Sequence, residues 1–171
     1  MPFVGIVSKK EQKLDEIVNK IFKNYKTDLK IIILNESNIE NMKNIKFETI
    51  VILENMLDLK EKFPILQKIL QDSKYLIINS DIKDNLELLG ELSLTIITYG
   101  FNSKATITVS STDFYEDNTM LCIQRNIKGF KGEVIELQDI KISKNGVVND
   151  IYVSIALLAI SLIYNINLHF M

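Results

Sequence analysis

Along the first hundred residues, short apolar runs alternate with stretches whose apolar positions recur at helical spacing. Phe3 to Val7 is an apolar run that predicts a buried strand, and Lys10 to Tyr25 follows as a helix. In that helix Leu14, Ile17, Val18, Ile21 and Phe22 fall at i, i+3, i+4, i+7 and i+8 and line one face. Leu29–Leu34 and Phe47–Leu53 read as strands, closed by Asn35-Glu36-Ser37 and by Glu54-Asn55. Leu57 to Gln71 reads as a helix that either begins near Pro64 or kinks there, because proline lacks the N–H that a helix interior needs. Tyr75–Ile78 and Leu94–Thr98 are further strands, separated by a helix over Lys83–Leu92. Strands alternating with helices at these spacings predict βαβ units and a parallel sheet.

After Gly100 the period changes to two. Ala105–Val109, Thr119–Gln124 and Glu133–Ile142 alternate apolar and polar residues, with turn chemistry at Asp117-Asn118 and Lys128-Gly129 and no helix between them. They predict a small antiparallel sheet that extends the parallel one or packs beside it. Asp150–Asn165 is apolar nearly all round, with Asn149 or Asp150 as its N-cap. Its uninterrupted apolar stretch is shorter than the roughly 20 residues a bilayer needs, so it predicts a helix buried on the sheet or at an interface. The fold class expected is α/β: a mostly parallel, Rossmann-like sheet flanked by helices, with an antiparallel subsheet near 104–142. One domain spans 1–171, comprising the parallel part (3–100), the subsheet and the apolar helix at 150–166.

Charge changes this picture little. Twenty basic and 22 acidic residues interleave to a net charge of −2, which leaves no basic face for nucleic acid. The abundance of Lys, Ile and Asn reads as coding bias. The single Cys122 excludes an internal disulfide, suits a reducing compartment and reads as a small buried side chain. No basic segment precedes the N-terminal apolar run and no cleavage site follows it, so the expected location is the cytoplasm. His169 is the only histidine, and with one apolar-flanked Cys it leaves no Ser-His, Cys-His or zinc arrangement to build.

The candidate chemistry lies where strands end. Lys74 to Thr112 runs strand, polar turn, short helix, strand and glycine break, with Asn79-Ser80-Asp81-Ile82 closing the first strand and Thr98-Tyr99-Gly100 the second. This order resembles the central, ATP-hydrolysing domain of the Mur ligases and folylpolyglutamate synthetases. There a strand ends in an Asn-Ala-Asp-Asp-like turn and the next in Thr-Phe/Tyr-Gly. A small antiparallel sheet follows, then a Gly-x-His-Asn-like turn into an Ala-rich helix, to which Gly146–Ile166 is similar. The resemblance covers about Tyr75 to Ile166; from Phe3 to Leu70 it rests on element order.

The resemblance implies an ATP- and Mg²⁺-dependent ligase fold, and the departures from it imply lost activity. Where the family has a glycine-rich phosphate loop ending in Gly-Lys-Thr/Ser, this chain has Gly5-Ile6-Val7-Ser8-Lys9-Lys10-Glu11. Ser8 and Lys9 at the start of the first helix are candidates for an anion; a capped, solvated first turn is the alternative. Glu54, ending Val-Ile-Leu-Glu, resembles the family's metal-binding Glu, but no metal-ligating His or modified Lys is found for it. In the last helix, neither Asp150 with Val153 nor Asn149 with Tyr152 restores the family's pair of adenine-contacting asparagines. The chain is also expected to lack the flanking domains that bind the UDP-sugar or folate substrate and close over the nucleotide.

The leading expectation is therefore a non-catalytic, central-domain-like interaction or regulatory module with no cofactor. The alternatives are a residual nucleotide or anion binder and one component of a split ATP-dependent ligase linked to cell-wall precursor metabolism. ATP and Mg²⁺ belong only to these alternatives, with Ser8, Lys9, Asn79 and Asp81 as cofactor-binding candidates and Glu54 as the metal candidate. Asn35 completes that candidate edge, and Glu36 with Glu54 is a conceivable carboxylate pair. A protein partner or homodimer through the C-terminal helix is expected, with neither nucleic acid nor a membrane span.

Overall fold

The structure, a computed structural model, describes residues 1–22, 28–87, 89–90, 92–113, 118–143 and 150–166. In chain order it contains β1 (Phe3–Val7), α1 (Glu11–Phe22), β2 (Lys30–Leu34), β3 (Thr49–Ile52), α2 (Phe63–Gln71), β4 (Tyr75–Asn79), α3 (Lys83–Glu87) and β5 (Thr95–Gly100). These are followed by β6 (Ile107–Asp113), β7 (Asn118–Ile123), β8 (Ile127–Lys128), β9 (Val134–Ile135), β10 (Gln138–Ser143) and α4 (Ile151–Tyr164). Eight strands form one sheet in the order β2-β1-β3-β4-β5-β6-β7-β10, parallel from β2 to β6, and β8 pairs with β9 in a separate two-stranded antiparallel ribbon. The expected α/β class, with a mostly parallel sheet between helices, is what the chain adopts.

The antiparallel part is an extension of the same sheet: β7 runs against both β6 and β10. The β5–β6 step needs no crossover helix. A parallel neighbour ordinarily requires a long return connection, but here only Tyr99 and Gly100 of β5 pair with Ile107 and Thr108 of β6. The chain therefore steps sideways by one strand where β5 ends, instead of travelling back to its start.

Three expected elements differ in detail. Glu133–Ile142 is two short strands, β9 and β10, because the first pairs with β8 and the second with β7. The helix expected over 57–71 begins at Phe63, with Pro64 in its first turn where a missing N–H costs nothing, and a 3₁₀ segment (Met56–Lys62) leads into it. The helix expected over Lys83–Leu92 is helical from Lys83 to Glu87, and Leu89 and Gly90 already form a turn, Gly90 at a positive φ of 46°, which ends the helix early; Leu88 and Glu91 lie outside the described residues. The β2–β3 return carries no α-helix, only a 3₁₀ turn at Ile39–Met42.

Alternation along each central strand sends neighbouring side chains to opposite faces. Val51 and Ile77 join one core with α1 and α4, while Ile50, Ile52, Leu76 and Ile78 join the other with α2 and the two 3₁₀ segments. Both faces of β3 and β4 are thus covered, which is why these strands read as unbroken apolar runs. The apolar α4 is explained the same way: Ser154 through Ser161 are all buried within this chain. Its two serines satisfy themselves on the helix backbone, Ser154 Oγ donating to the Asp150 carbonyl (3.1 Å) and Ser161 Oγ to that of Leu158 (2.7 Å). Asp150 caps the helix by accepting the Tyr152 and Val153 amides; Asn149 lies outside the described residues. Among the described residues no helix is long and apolar enough to cross a membrane. Cys122 is half-buried on β7, opposite Asp139, where the sequence suggested full burial.

Candidate functional site

Strand β1 lies between β2 and β3, and the connections around it diverge: α1, which joins β1 to β2, packs on one face of the sheet, and the 3₁₀ turn that joins β2 to β3 packs on the other. In open α/β sheets, ligands bind at such a divergence, outside the carboxyl ends of the strands. The turn there is short, since β1 ends at Val7 and α1 begins at Glu11. Ser8 donates its amide to the Leu34 carbonyl (3.0 Å), and the Leu14 amide bonds the Lys10 carbonyl (3.2 Å), so the chain enters the helix directly.

The donors that such a turn offers to an anion already have one. Glu54, from the end of β3, accepts the Lys9 amide and the Ser8 hydroxyl on the same carboxylate oxygen, each at 3.1 Å. Ser8 Oγ in turn accepts the Lys10 amide at 3.1 Å, the capping role expected of a helix-start serine. Lys9 extends its ammonium to Asp58 (2.8 Å), and that hydrogen bond raises its pKa above the ordinary lysine value. The chain thus supplies its own carboxylate where a helix start would hold phosphate.

Two small cavities flank this carboxylate. One of about 160 Å³ lies between the starts of α1 and α4 and is lined by Ser8, Lys10, Lys13, Leu53, Glu54 and Tyr152, among others. The other, of about 100 Å³, is lined by Lys9, Asn35, Glu36, Glu54 and Asp58, among others. Pockets for drug-sized ligands run to roughly 300–1,000 Å³, so neither holds a nucleoside triphosphate as it stands.

Further along the edge, the Asn79-Ser80-Asp81 turn is tied to the loop after β5. The Asp81 carboxylate accepts the Phe101 amide (2.8 Å), the Asn102 amide (3.3 Å), the Asn102 side chain (2.8 Å) and the Tyr152 hydroxyl (3.1 Å). Partial burial pushes its pKa up, but the bonds from the Asn102 side chain, the Phe101 amide and Tyr152 outweigh this and hold the carboxyl below the ordinary range. Gly100 permits the approach, because a Cβ there would sit 2.7 Å from an Asp81 oxygen. Phe101 packs edge-on against the Tyr152 ring at 5.4 Å, which joins α4 to the same knot. Buried Asn79 accepts the Asp81 amide (2.9 Å), closing the turn at its base.

Ser8, Lys9 and Glu54 therefore meet at one point, with Asn35 and Glu36 lining the adjoining cavity. Asn79 and Asp81 belong to a neighbouring knot in which the carboxylate is already occupied by four donors. Among the described residues no three His, Cys, Asp or Glu side chains gather in a way that could hold a metal. The partners of Glu54 are donors, and His169 lies outside the described residues.

Three asparagines with no signal in the apolar pattern, Asn38, Asn85 and Asn102, also hold this edge. Asn85, fully buried on α3, donates to the Glu54 carbonyl (2.9 Å) and accepts the Met56 amide (2.7 Å). Asn38 accepts the Asn35 amide (2.9 Å) and donates to the Ile33 carbonyl (2.9 Å) after β2. Asn102 donates to Ser80 Oγ (2.7 Å) as well as to Asp81. A carboxamide holds a donor and an acceptor side by side and so matches the N–H and C=O of a strand that has just left its ladder. What composition suggested was coding bias is, at these positions, the fastening of the sheet's carboxyl edge.

Comparison of the chain with protein-family models gives no match, and comparison with curated proteins gives none either.

Proposed function

We propose that this chain is a non-catalytic relative of the Mur ligase central domain, serving as an interaction or regulatory module. The observation that carries the reading is the Glu54 carboxylate on the Lys9 amide and the Ser8 hydroxyl. Phosphoryl transfer depends on positioning phosphates and stabilising their charge. A fixed carboxylate in that position repels the phosphate and uses the donors meant for it. The small cavities on either side of Glu54 and the four donors on Asp81 support the same reading. Isothermal titration with ATP and Mg²⁺ tests it: the expected result is no binding, and a Kd tighter than about 100 µM, or roughly −5.5 kcal/mol, refutes it.

A second reading is favoured by one feature. Lys10 and Lys13 line the 160 Å³ cavity, above an apolar floor that includes Leu14 and Ile17. A small anion there would have to gain more from the two ammonium groups than it loses to the Glu54 and Asp150 carboxylates, which line the same cavity. Saturable binding of inorganic phosphate that weakens in Lys13→Met would establish this reading, and silence would remove it.

A further inference from the structure

Far from the Glu54 turn, the sheet ends at β10, and among the described residues no strand lies beyond it. We propose that this edge pairs with the same edge of a second copy of the chain, antiparallel, about a two-fold axis through Ile140. An unpaired strand edge is a template for another strand unless charge, proline or a covering element guards it. Asp139 and Lys141 are the charges on β10, both exposed and on one face, opposite Cys122 and Met120 of β7; Asp139 accepts a hydrogen bond from the Cys122 thiol, and Lys141 is also engaged within the chain.

Their spacing selects a register. A two-fold axis normal to the sheet keeps every side chain on its own face, so a residue meets only residues of its own parity across the seam. Centring the axis on Asp139 or on Lys141 places like charges directly opposite, which is destabilising. Centring it on Ile140 places Asp139 opposite the partner's Lys141, and Lys141 opposite the partner's Asp139. In this register the guard charges become complementary, and Ile140 meets the partner's Ile140 on the face that α4 covers.

Apolar surface adjoins this edge. Val134 and Leu137 are 60% and 62% exposed, and with Leu162 of α4 and Ile166 just beyond it they border a groove of about 720 Å³ that Glu133, Glu136 and Gln138 also line. The middle of α4 is buried in its own chain, and its last turn is the part that borders this groove.

Sedimentation equilibrium of the full chain tests the proposal. The wild type is expected to form a dimer that dissociates on dilution. Asp139→Lys and Lys141→Asp each convert both cross-seam attractions into repulsions and are expected to raise the dissociation constant at least about tenfold. The double exchange Asp139→Lys/Lys141→Asp restores complementarity and is expected to recover the dimer. The two single variants probe the seam from opposite sides, so misfolding of one, visible by circular dichroism, leaves the other informative. A monomeric wild type, a dimer indifferent to either reversal, or a double variant no tighter than the singles would overturn the proposal. Nucleotide titration bears on neither charge, so failure here leaves the reading of the Glu54 turn untouched, and the reverse holds too.

Discussion

Asn85 offers the sharpest test of how the carboxyl edge is held. Its side chain is fully buried and bonds two backbone groups of the loop that carries Glu54, the Glu54 carbonyl and the Met56 amide. Asn85→Ala leaves both without partners. An orphaned buried group costs about 1–3 kcal/mol. Met56 is buried, so its amide takes the full cost, while half-buried Glu54 lets water reach its carbonyl at the lower end of that range. The sum is about 2–4 kcal/mol, a large part of the roughly 5–15 kcal/mol by which a domain is stable. For a domain of 150–250 residues each kcal/mol shifts Tm by about 2–4 °C, so a fall of roughly 4–16 °C is expected by scanning calorimetry. Asn55→Ala is the control. Its side chain bonds Asp84 and the Leu57 amide at a solvated site (2.8 and 3.0 Å), where water replaces what is lost, and less than about 1 kcal/mol is expected. Equal losses in the two variants, or a loss below about 1 kcal/mol for Asn85→Ala, would refute the reasoning that these asparagines fasten the edge by burial of backbone groups.

Other expectations follow from the ionisable groups. Asp81 has a folded pKa below its unfolded value, so its contribution is present above the ordinary carboxylate range and is lost as pH falls through the folded value. Urea melts of wild type and Asp81→Asn should therefore differ near neutrality and converge below about pH 4; a difference that persists in acid contradicts this. Burial pushes Tyr164 up to about 12, against a weaker lowering by its hydrogen bond with Thr49. The unfolded chain thus ionises first, and stability should fall as pH rises from 10 toward 12, less steeply in Tyr164→Phe once its lower starting stability is subtracted. The Cys122 thiol is raised chiefly by its hydrogen bond to Asp139 and secondarily by burial. Iodoacetamide should accordingly alkylate it more slowly than a free thiol at pH 8, and Asp139→Ala should speed the reaction, as rates follow the thiolate fraction.

The parallel half of the sheet is legible in the residue pattern because burial on both faces forces unbroken runs such as Thr49–Ile52 and Tyr75–Asn79. The helix α1 is legible because one apolar face packs and the other is solvated. What local pattern does not carry is partner choice. Glu133–Ile142 alternates throughout, and only pairing with two different strands divides it. Of the two outcomes Pro64 allows, the chain takes the later start: α2 begins at Phe63, and the seven residues Met56–Lys62 before it form a 3₁₀ segment that the spacing alone does not separate from the helix. At the site, Ser8 and Glu54 are identifiable as strand-end polar residues, but their mutual bond spans 46 positions and depends on β1 and β3 being neighbours. The asparagine pegs are harder still. The position just after a strand is their only signal, and for Asn85, on a helix, even that is absent.

The account rests on Glu54 standing in for an external anion at the β1–α1 turn. Its most direct test is the amide spectrum of ¹⁵N-labelled protein, following Lys9 and Lys10 as ATP with Mg²⁺ is added to about 1 mM, where even an association of roughly −4 kcal/mol would register. With Glu54 in place, both amide signals should stay where they are. Saturable movement of these two signals in the wild-type chain would show that the turn still accepts phosphate and would contradict the account.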